Sequence, residues 1–459
     1  MQITYNKKLT TNNGMKKEEK NDLMDKIVSL AKRRGFVFPS SEIYGGLANA
    51  WDFGPLGVEL KNNIKKLWWE FFVQKRDDMY GIDASLLMNP KTWEASGHLK
   101  GFSDALVECK KCHERYREDM LEKDKKGNHI CPSCGSTEFT EPRQFNLMLK
   151  TFLGPAEDEA HVVYFRPETA QAMFVDFKQI LDTMSPKLPF GIAQVGKAFR
   201  NEITPGNFVF RTREFEQMEI EYFIKPNEWE DRFEYWLSQM KEWMKLVGLD
   251  ENKISYLEVP EHERAHYSKR TIDVEFDFPF GKKELYGLAY RGDFDLKSHQ
   301  EASGKNLEYF DEKSNEKFLP HVIEPSLGVE RTLLAVLVSA YREEKTEKDI
   351  RVYLDLDIKL APYKAAVFPL MANKPELVKK ARELFGNIKK SGVYPVTFDD
   401  GGNVGKRYRR QDEIGTPYCF TVDFQTLEDN TVTVRDRNTM KQERIAADLV
   451  TEFLKGKIK

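Results

Sequence analysis

The stretch Phe199–Phe223, FRNEITPGNFVFRTREFEQMEIEYF, brings both signs of charge onto one short segment. Three arginines and five glutamates flank a Thr-Pro-Gly-Asn turn, which predicts an antiparallel hairpin. On its second strand, alternation puts Glu219 and Glu221 on one face and Glu216 on the other. A plain surface hairpin would bury one apolar face, so we expect this one to line a cavity for a ligand that carries both charges. The alternative is a solvated sheet edge with cross-strand ion pairs.

Four of the five cysteines form two pairs with metal-binding spacing. The motifs CKKC and CPSC are separated by 18 residues and supply Cys109, Cys112, Cys131 and Cys134. This spacing is typical of two knuckles around one zinc ion, and a closed shell of four thiolates leaves no position for a reacting water. We therefore expect a structural Zn²⁺ site, with reduced free thiols as the alternative. Cys419 lies in a predicted strand and is expected to be buried.

Length and charge exclude several classes of protein. The chain has 459 residues, 71 basic and 74 acidic, for a net charge of −3. Contacts with nucleic acid must therefore come from local patches. Residues 1–20 are polar, lack the apolar core of a signal peptide and predict a disordered tail. The longest apolar run, Thr332–Ala340, is too short to cross a bilayer. We expect a soluble, cytoplasmic protein with no membrane segment and no disulfide framework.

Periodicity indicates the elements that hold the hairpin. Leu56–Phe72 has apolar residues on one helical face, which is either core or a subunit interface. Residues 225–319 mix helix and strand signals and are expected to form an insertion. The polar stretch Arg342–Lys348 is typical of a linker. Beyond it, strands alternate with helices over residues 349–459, which predicts a small α/β domain.

Longer motifs resemble those of a known family. FRNE followed by RTREFEQMEIEYF is similar to motif 2 of the class II aminoacyl-tRNA synthetases, and EPSLGVER at Glu324–Arg331 resembles their motif 3. The helix Leu56–Phe72, with the strand that ends at Pro90, resembles motif 1. The segments YGGLANAWDFGPLG, RPETAQ and RGDFDL are similar to those of the dimeric glycyl-tRNA synthetases. The resemblance covers the chain from about residue 23 to its end.

The resemblance implies an α+β fold and an enzymatic activity. The implied catalytic core is a class II antiparallel sheet over 21–341. It would contain a zinc-knuckle insertion at 100–160 and the second insertion at 225–319. A C-terminal α/β anticodon-binding domain would follow over 349–459. A homodimer would join glycine to ATP as glycyl-adenylate, release pyrophosphate and transfer glycine to the 3′ end of tRNA(Gly). ATP with Mg²⁺ and a structural Zn²⁺ are the implied cofactors. Two alternatives are an inactive synthetase-like nucleic-acid-binding subunit and a ligase for another small amino acid.

The resemblance also implies residue roles. Arg200 and Arg331 would stabilise charge on the phosphates, and Glu324 would hold Mg²⁺; these three are the implied catalytic residues. The implied ATP contacts are Arg200, Asn201, Glu202, Phe210, Arg211, Phe215, Glu284, Leu285, Gly328 and Arg331. The implied glycine contacts are Arg115, Glu168, Phe215, Gln217, Glu219, Arg291, Glu324 and Ser326. No side chain need act as a covalent nucleophile, because both steps use a substrate oxygen.

Structural roles compete with some of these functional ones. Arg213 and Glu214 are expected to form surface ion pairs, and His98 is expected to be a hydrogen-bonded structural histidine. In the C-terminal domain, a basic and aromatic cluster suits phosphates and single-stranded RNA, although a short basic run is usually a solvated surface. The predicted anticodon contacts in that cluster are Lys406, Arg407, Arg409 and Arg410.

Overall fold

The computed structural model describes residues 22–347 and 349–458, so the predicted tail at 1–20 lies outside the described residues. The described part is mixed α/β. Its largest hydrophobic cluster packs on a seven-stranded sheet, and a second cluster lies within the C-terminal domain. Among the described residues no helix is long and apolar enough to cross a membrane.

The central sheet positions the predicted hairpin in its interior. We number its strands in chain order: β1 Met79–Gly81, β2 Phe190–Phe199, β3 Glu214–Ile224, β4 Ile254–Glu258, β5 Arg270–Phe278, β6 Gly281–Gly292 and β7 His321–Gly328. Their order across the sheet is β4-β5-β6-β7-β3-β2-β1. The β1–β2 pair is parallel, and the other five neighbouring pairs are antiparallel. Strand β3 therefore has β2 on one side and β7 on the other.

The strands β2 and β3 form the predicted antiparallel hairpin, but residues 200–213 connect them as a loop that is longer than the predicted turn and contains the 3-10 helix Phe208–Phe210. The register of the two strands runs from Phe190 opposite Phe223 to Phe199 opposite Glu214. Glu219 and Glu221 share one face, and both are buried. Because β3 pairs on both sides, its carboxylates are not those of a solvated sheet edge.

Residues 225–319 differ from the predicted insertion. They contain the helix Trp229–Leu246 and the strands β4, β5 and β6, which complete one side of the central sheet. In β5 the residues Ile272, Val274 and Phe276 are buried in the main cluster, while charged residues alternate with them. This burial ties the segment to the core, and the charged alternation explains why the sequence signal is mixed.

Helices cover both faces of the sheet. On one face lie Pro55–Trp69, Trp229–Leu246 and Val329–Ala340, and on the other lie Ala170–Val175, Phe177–Met184 and Phe294–Ser303. The helix Pro55–Trp69 continues as a π-helical segment, Glu70–Gln74. In its apolar stripe Leu60, Ile64 and Trp68 are fully buried within the same chain, and Phe71 is half-buried against the same hydrophobic cluster. The stripe is therefore core, and a subunit contact would need another surface.

The segment between β1 and β2 carries two small sheets. One contains Leu87–Met88, Lys150–Phe152 and Val162–Phe165, and the other contains Ser103–Glu108, Arg115–Arg117 and Arg143–Asn146. The helices Pro90–Ala95 and His98–Gly101 lead into the second sheet. Two further antiparallel pairs lie elsewhere: Val37–Pro39 with Trp51–Phe53 precedes β1, and Tyr309–Asp311 with Glu316–Phe318 lies between β6 and β7.

The C-terminal domain is a five-stranded sheet with helices. Its strands are Ala365–Pro369, Val396–Phe398, Tyr418–Val422, Thr431–Asp436 and Gln442–Ala446, and its helices are Pro375–Lys390, Val404–Glu413, Phe424–Asp429 and Val450–Ile458. The first three strands are parallel and the last two antiparallel.

The predicted linker Arg342–Lys348 is structured where it is described. The strand Tyr341–Lys345 pairs antiparallel with Ile350–Leu354. A two-stranded pair can keep its charged side chains in water, so polar composition alone does not exclude a strand.

Candidate functional site

A cavity of about 350 Å³ lies against β3, β5, β6 and β7. Most residues predicted to contact ATP or glycine line it. They are Glu168, Arg200, Glu202, Phe210, Arg211, Phe215, Gln217, Glu219, Glu284, Leu285, Glu324, Ser326, Gly328 and Arg331. Residues that are far apart in sequence are thus brought to one space by the interior strands of the sheet.

Three predicted contacts lie outside this lining. Arg291 is buried behind Glu324, and its Nη1 donates to Glu324 Oε1 at 2.7 Å. Arg115 is exposed on the strand Arg115–Arg117 and pairs with Glu108 at 3.0 Å. The backbone N–H of Asn201 donates to the Leu147 carbonyl. Arg291 can therefore act on a ligand only through its neighbours in this conformation.

Arg200 is held in a fixed orientation. Its guanidinium carbon lies 5.3 Å from the centre of the Phe102 ring and 5.2 Å from that of Phe215. Its Nε donates to the Pro167 carbonyl at 3.0 Å. Two ring contacts and one backbone bond restrain a side chain that would otherwise be flexible. Such preorganisation is what a donor needs in order to stabilise charge that develops during a reaction.

Two further arginines line the cavity, each beside a carboxylate. Arg331 lies over the ring of Phe210 at 4.5 Å and close to Glu284, with its Nη1 at 3.2 Å from Glu284 Oε2. Arg211 lies 3.9 Å from Glu202. Guanidinium groups suit phosphate oxygens because their N–H groups match two oxygens at once. The arrangement can therefore bind a polyanion.

Buried carboxylates also line the cavity. Glu219 accepts hydrogen bonds from the hydroxyls of Ser326 at 2.6 Å and Thr169 at 2.5 Å. Glu168 Oε2 lies 3.3 Å from His98 Nε2. Glu324 forms the ion pair with Arg291. These three carboxylates line the same cavity as the arginines, which brings both signs of charge to one site, as the hairpin sequence predicts.

The pKa values follow from burial and crowding of like charges. Burial raises the pKa of Glu324 to about 8, the charges of Glu219 and Glu168 add to the rise, and Arg291 opposes it. Burial and then the charge of Glu168 raise the pKa of Glu219. Burial also raises the pKa of Glu221, and neither oxygen of that carboxyl has a hydrogen-bond partner among the described residues. The charge of Arg291 does not balance the acids here, and a ligand ammonium group would add positive charge.

Some cavity residues were missed by sequence reasoning. Tyr267, Thr271 and Asp273 line the cavity from β5 and the segment before it. Burial raises the pKa of Asp273 to about 7, and the nearby Glu284 and Glu275 add to the rise. No motif marks these residues. Recognition of β5 as an interior strand would have found Asp273, since alternation puts it opposite the buried apolar face.

The four predicted metal ligands form one cluster. Their sulfur atoms all lie within 4.8 Å of one another, and the cross pairs Cys109–Cys134 and Cys112–Cys131 are at 3.6 and 3.5 Å. These separations are far too long for disulfides. A tetrahedral zinc site with Zn–S bonds of about 2.3 Å requires sulfur separations of about 3.8 Å. The residues therefore fit a four-thiolate zinc site.

The predicted anticodon residues divide between internal and surface positions. Arg407 is buried, and its guanidinium donates to the carbonyls of Pro369, Asp400 and Gly402. Its charge therefore organises the loop before the helix Val404–Glu413. On the same helix, Arg410 is paired with Asp399 and Arg409 with Asp349, and the Lys406 side chain is exposed.

Comparison with protein families agrees with this architecture. Residues 149–340 match the family described as "tRNA synthetase class II core domain (G, H, P, S and T)", and residues 364–457 match the "Anticodon binding domain". A crystal structure of prolyl-tRNA synthetase from Cryptosporidium parvum, complexed with halofuginone and AMPPNP, is similar in fold. Its TM-score is 0.65 at 16% identity, over 94% of this chain and 74% of that one.

Whole-chain relatives are more informative. The chain is 54% identical to a glycine–tRNA ligase of Alkaliphilus metalliredigens, over 95% of this chain and 98% of that protein. It is 51% identical to a glycine–tRNA ligase of Bacillus anthracis, over 95% of this chain and 99% of that protein. With this identity over nearly its full length, and with a class II core and an anticodon-binding domain in that order, the chain belongs to the glycine–tRNA ligase family of class II aminoacyl-tRNA synthetases.

Proposed function

We propose that this protein is a glycine–tRNA ligase. It joins the carboxylate of glycine to the α-phosphate of ATP with release of pyrophosphate, and then transfers glycine to the 3′ end of tRNA(Gly). The proposal rests on the observation that Arg200, Arg331 and Glu219 line the same cavity. The arginines bind the phosphates, and the carboxylates bind the ammonium group of glycine.

The proposed cofactors follow from the chemistry of the side chains. Both carboxylates are paired with an arginine, Glu324 with Arg291 and Glu284 with Arg331. The side chain of Glu324 is 8% exposed, whereas that of Glu284 is 50% exposed. Magnesium prefers carboxylate and phosphate oxygens that can share its water shell. We therefore assign the Mg²⁺ of MgATP to Glu284 in preference to Glu324. Zn²⁺ is assigned to the four-cysteine cluster, where it stabilises the insertion and takes no part in the reaction.

The proposed assembly is a cytoplasmic homodimer. Support comes from exposed apolar side chains on one loop, where Ile43, Tyr44 and Leu47 are 88%, 87% and 66% exposed. Clusters of this kind on a soluble protein often mark an interface. The loop contacts the hairpin, since the Asn49 amide donates to the Arg211 carbonyl. A partner on this loop would thus stabilise Arg211 in the lining of the cavity.

The test is glycine-dependent exchange of pyrophosphate into ATP. We expect exchange with glycine, and at most weak exchange with alanine, serine, threonine or proline. Arg200→Ala should abolish most of it, while Arg232→Ala, a matched change on the helix Trp229–Leu246 away from the cavity, should not. Exchange that favours another amino acid, or exchange that Arg200→Ala does not reduce, would contradict the proposal.

A further inference from the structure

The segment Ser96–Phe102 lies outside the cavity but contacts lining residues of both charges. It includes the short helix His98–Gly101 and leads into the strand Ser103–Glu108 of the cysteine-bearing insertion. His98 contacts Glu168, and Phe102 contacts Arg200.

The ring of His98 is held on all sides. It packs against Trp93 and Phe102, with ring centres 5.6 and 5.3 Å away, and is 7% exposed. Its Nδ1 lies 2.8 Å from the hydroxyl of Ser96, which is also buried. Its Nε2 lies 3.3 Å from Glu168 Oε2. An ionised carboxylate only accepts hydrogen bonds, so Nε2 must carry the proton. The Ser96 hydroxyl can bond to Nδ1 as either donor or acceptor.

Glu168 has a second fixed contact. Gln171 Nε2 is 3.2 Å from Glu168 Oε1, and Gln171 is in turn held by Asp295 and His299. Each oxygen of Glu168 therefore has one protein donor, and the carboxyl group still lines the cavity. Loss of the His98 donor would leave a buried carboxylate with an unsatisfied oxygen beside other acids, which is costly.

We propose that His98 is a positioning residue for the amino-acid substrate: its Nε2–H holds the Glu168 carboxylate oriented and charged for the substrate ammonium group. The inference rests on the proposed function, because it takes Glu168 as an ammonium ligand. Burial alone would raise the pKa of Glu168, but the charge and hydrogen bond of His98, aided by Arg291 and Arg200, bring the pKa below its usual range. His98 therefore acts through Glu168 and does not touch the reacting atoms.

Two substitutions separate the donor from the ring. His98→Phe keeps an aromatic ring between Trp93 and Phe102 but removes the N–H group. His98→Gln gives up the ring but can donate from its Nε2. In pyrophosphate exchange, His98→Phe should raise KM for glycine by about tenfold to a hundredfold, the loss expected for a buried hydrogen bond to a charged group. KM for ATP should stay within about twofold, because Arg200 keeps both of its ring contacts.

The rescue and the control decide between positioning and structure. His98→Gln should recover most of the lost glycine affinity. The control is His321→Phe, which changes a half-buried histidine that bonds a tyrosine hydroxyl away from the cavity. This control should leave KM for glycine unchanged. The inference is overturned if His98→Phe lowers kcat alone with KM for glycine unchanged, or if His98→Gln behaves no better than His98→Phe.

Folding and function are checked separately. If thermal unfolding shows that His98→Phe does not fold, Ser96→Ala replaces it as the test variant. This substitution leaves the His98 ring in place and removes the bond to Nδ1. It must then raise KM for glycine by at least about threefold. Failure of the wild-type protein to exchange with glycine would refute the proposed function itself. A wild-type exchange that His98 and Ser96 substitutions do not affect would refute the positioning role alone.

Discussion

Replacement of Arg200 by lysine tests whether guanidinium geometry, and not charge alone, stabilises the reaction. Lysine keeps the positive charge but has no Nε–H for the Pro167 carbonyl. It also lacks the flat surface that lies between the rings of Phe102 and Phe215. The substitution therefore removes orientation and the paired N–H groups while it leaves the net charge of the cavity unchanged.

The expected magnitude comes from the contacts that are lost. The backbone hydrogen bond contributes about 1 kcal/mol. The loss of a paired, charge-assisted contact with the phosphate adds about 1.5 kcal/mol. The sum of about 2.5 kcal/mol corresponds to a fall in kcat of about 70-fold. Removal of the whole group in Arg200→Ala should cost about 3–4 kcal/mol, or two to three orders of magnitude.

Steady-state pyrophosphate exchange measures both variants. Arg213→Lys is the matched control, because Arg213 lies on the same hairpin but outside the cavity, and its guanidinium donates to the backbone carbonyl of Ala48. We expect the control to stay within about twofold of wild type. An Arg200→Lys enzyme with nearly full kcat, or a control that loses as much activity, would show that Arg200 contributes only charge or only local folding.

Three further outcomes are expected. The purified protein should contain one zinc ion per chain. Cys112→Ser should lose the metal and lower the unfolding temperature without a change in KM for ATP. A Cys112→Ser protein that lacks zinc but unfolds at the wild-type temperature would refute this. The ionisation of Asp273 near pH 7 adds negative charge to the cavity, so KM for ATP should rise as pH increases above about 7, and Asp273→Asn should remove that rise. Lys406→Ala should weaken tRNA binding with stability unchanged. Arg407→Ala should lower the unfolding temperature, because it leaves three backbone carbonyls without a donor. The reverse pattern would contradict the assignment of Lys406 to tRNA binding and of Arg407 to folding.

The candidate site could be predicted from sequence because its residues lie in long, ordered motifs. The alternation of β3 puts Gln217 and Glu219 on the same face, and that face lines the cavity. The apolar runs of Pro55–Trp69 and Val329–Ala340 likewise predict helices that cover the sheet.

What could not be predicted depends on contacts between distant segments. Asp273 lies in the cavity because β6 pairs on its other side with β7, which brings the hairpin of β5 and β6 into the same sheet as β3. No local signal gives this pairing of distant segments. Arg407 is buried because carbonyl oxygens of a neighbouring strand end and loop surround it, which composition cannot show. The strand Tyr341–Lys345 forms because Ile350–Leu354 lies beside it, although its side chains are polar.

The crowding of acids in the cavity links stability to substrate binding. Glu168, Glu219 and Glu324 line a buried space in which the nearest full positive charge, Arg291, is already shared with Asp295. Mutual repulsion and burial make this arrangement unfavourable when the cavity is empty, as the raised pKa values of Glu219 and Glu324 show. An ammonium group would supply the missing charge and would favour ionised carboxylates. Glycine should therefore stabilise the protein against heat more than its small size suggests, and its binding near neutral pH should release protons. Calorimetry in buffers of different ionisation enthalpy measures that release; binding without it would mean that these acids are already ionised in the empty cavity.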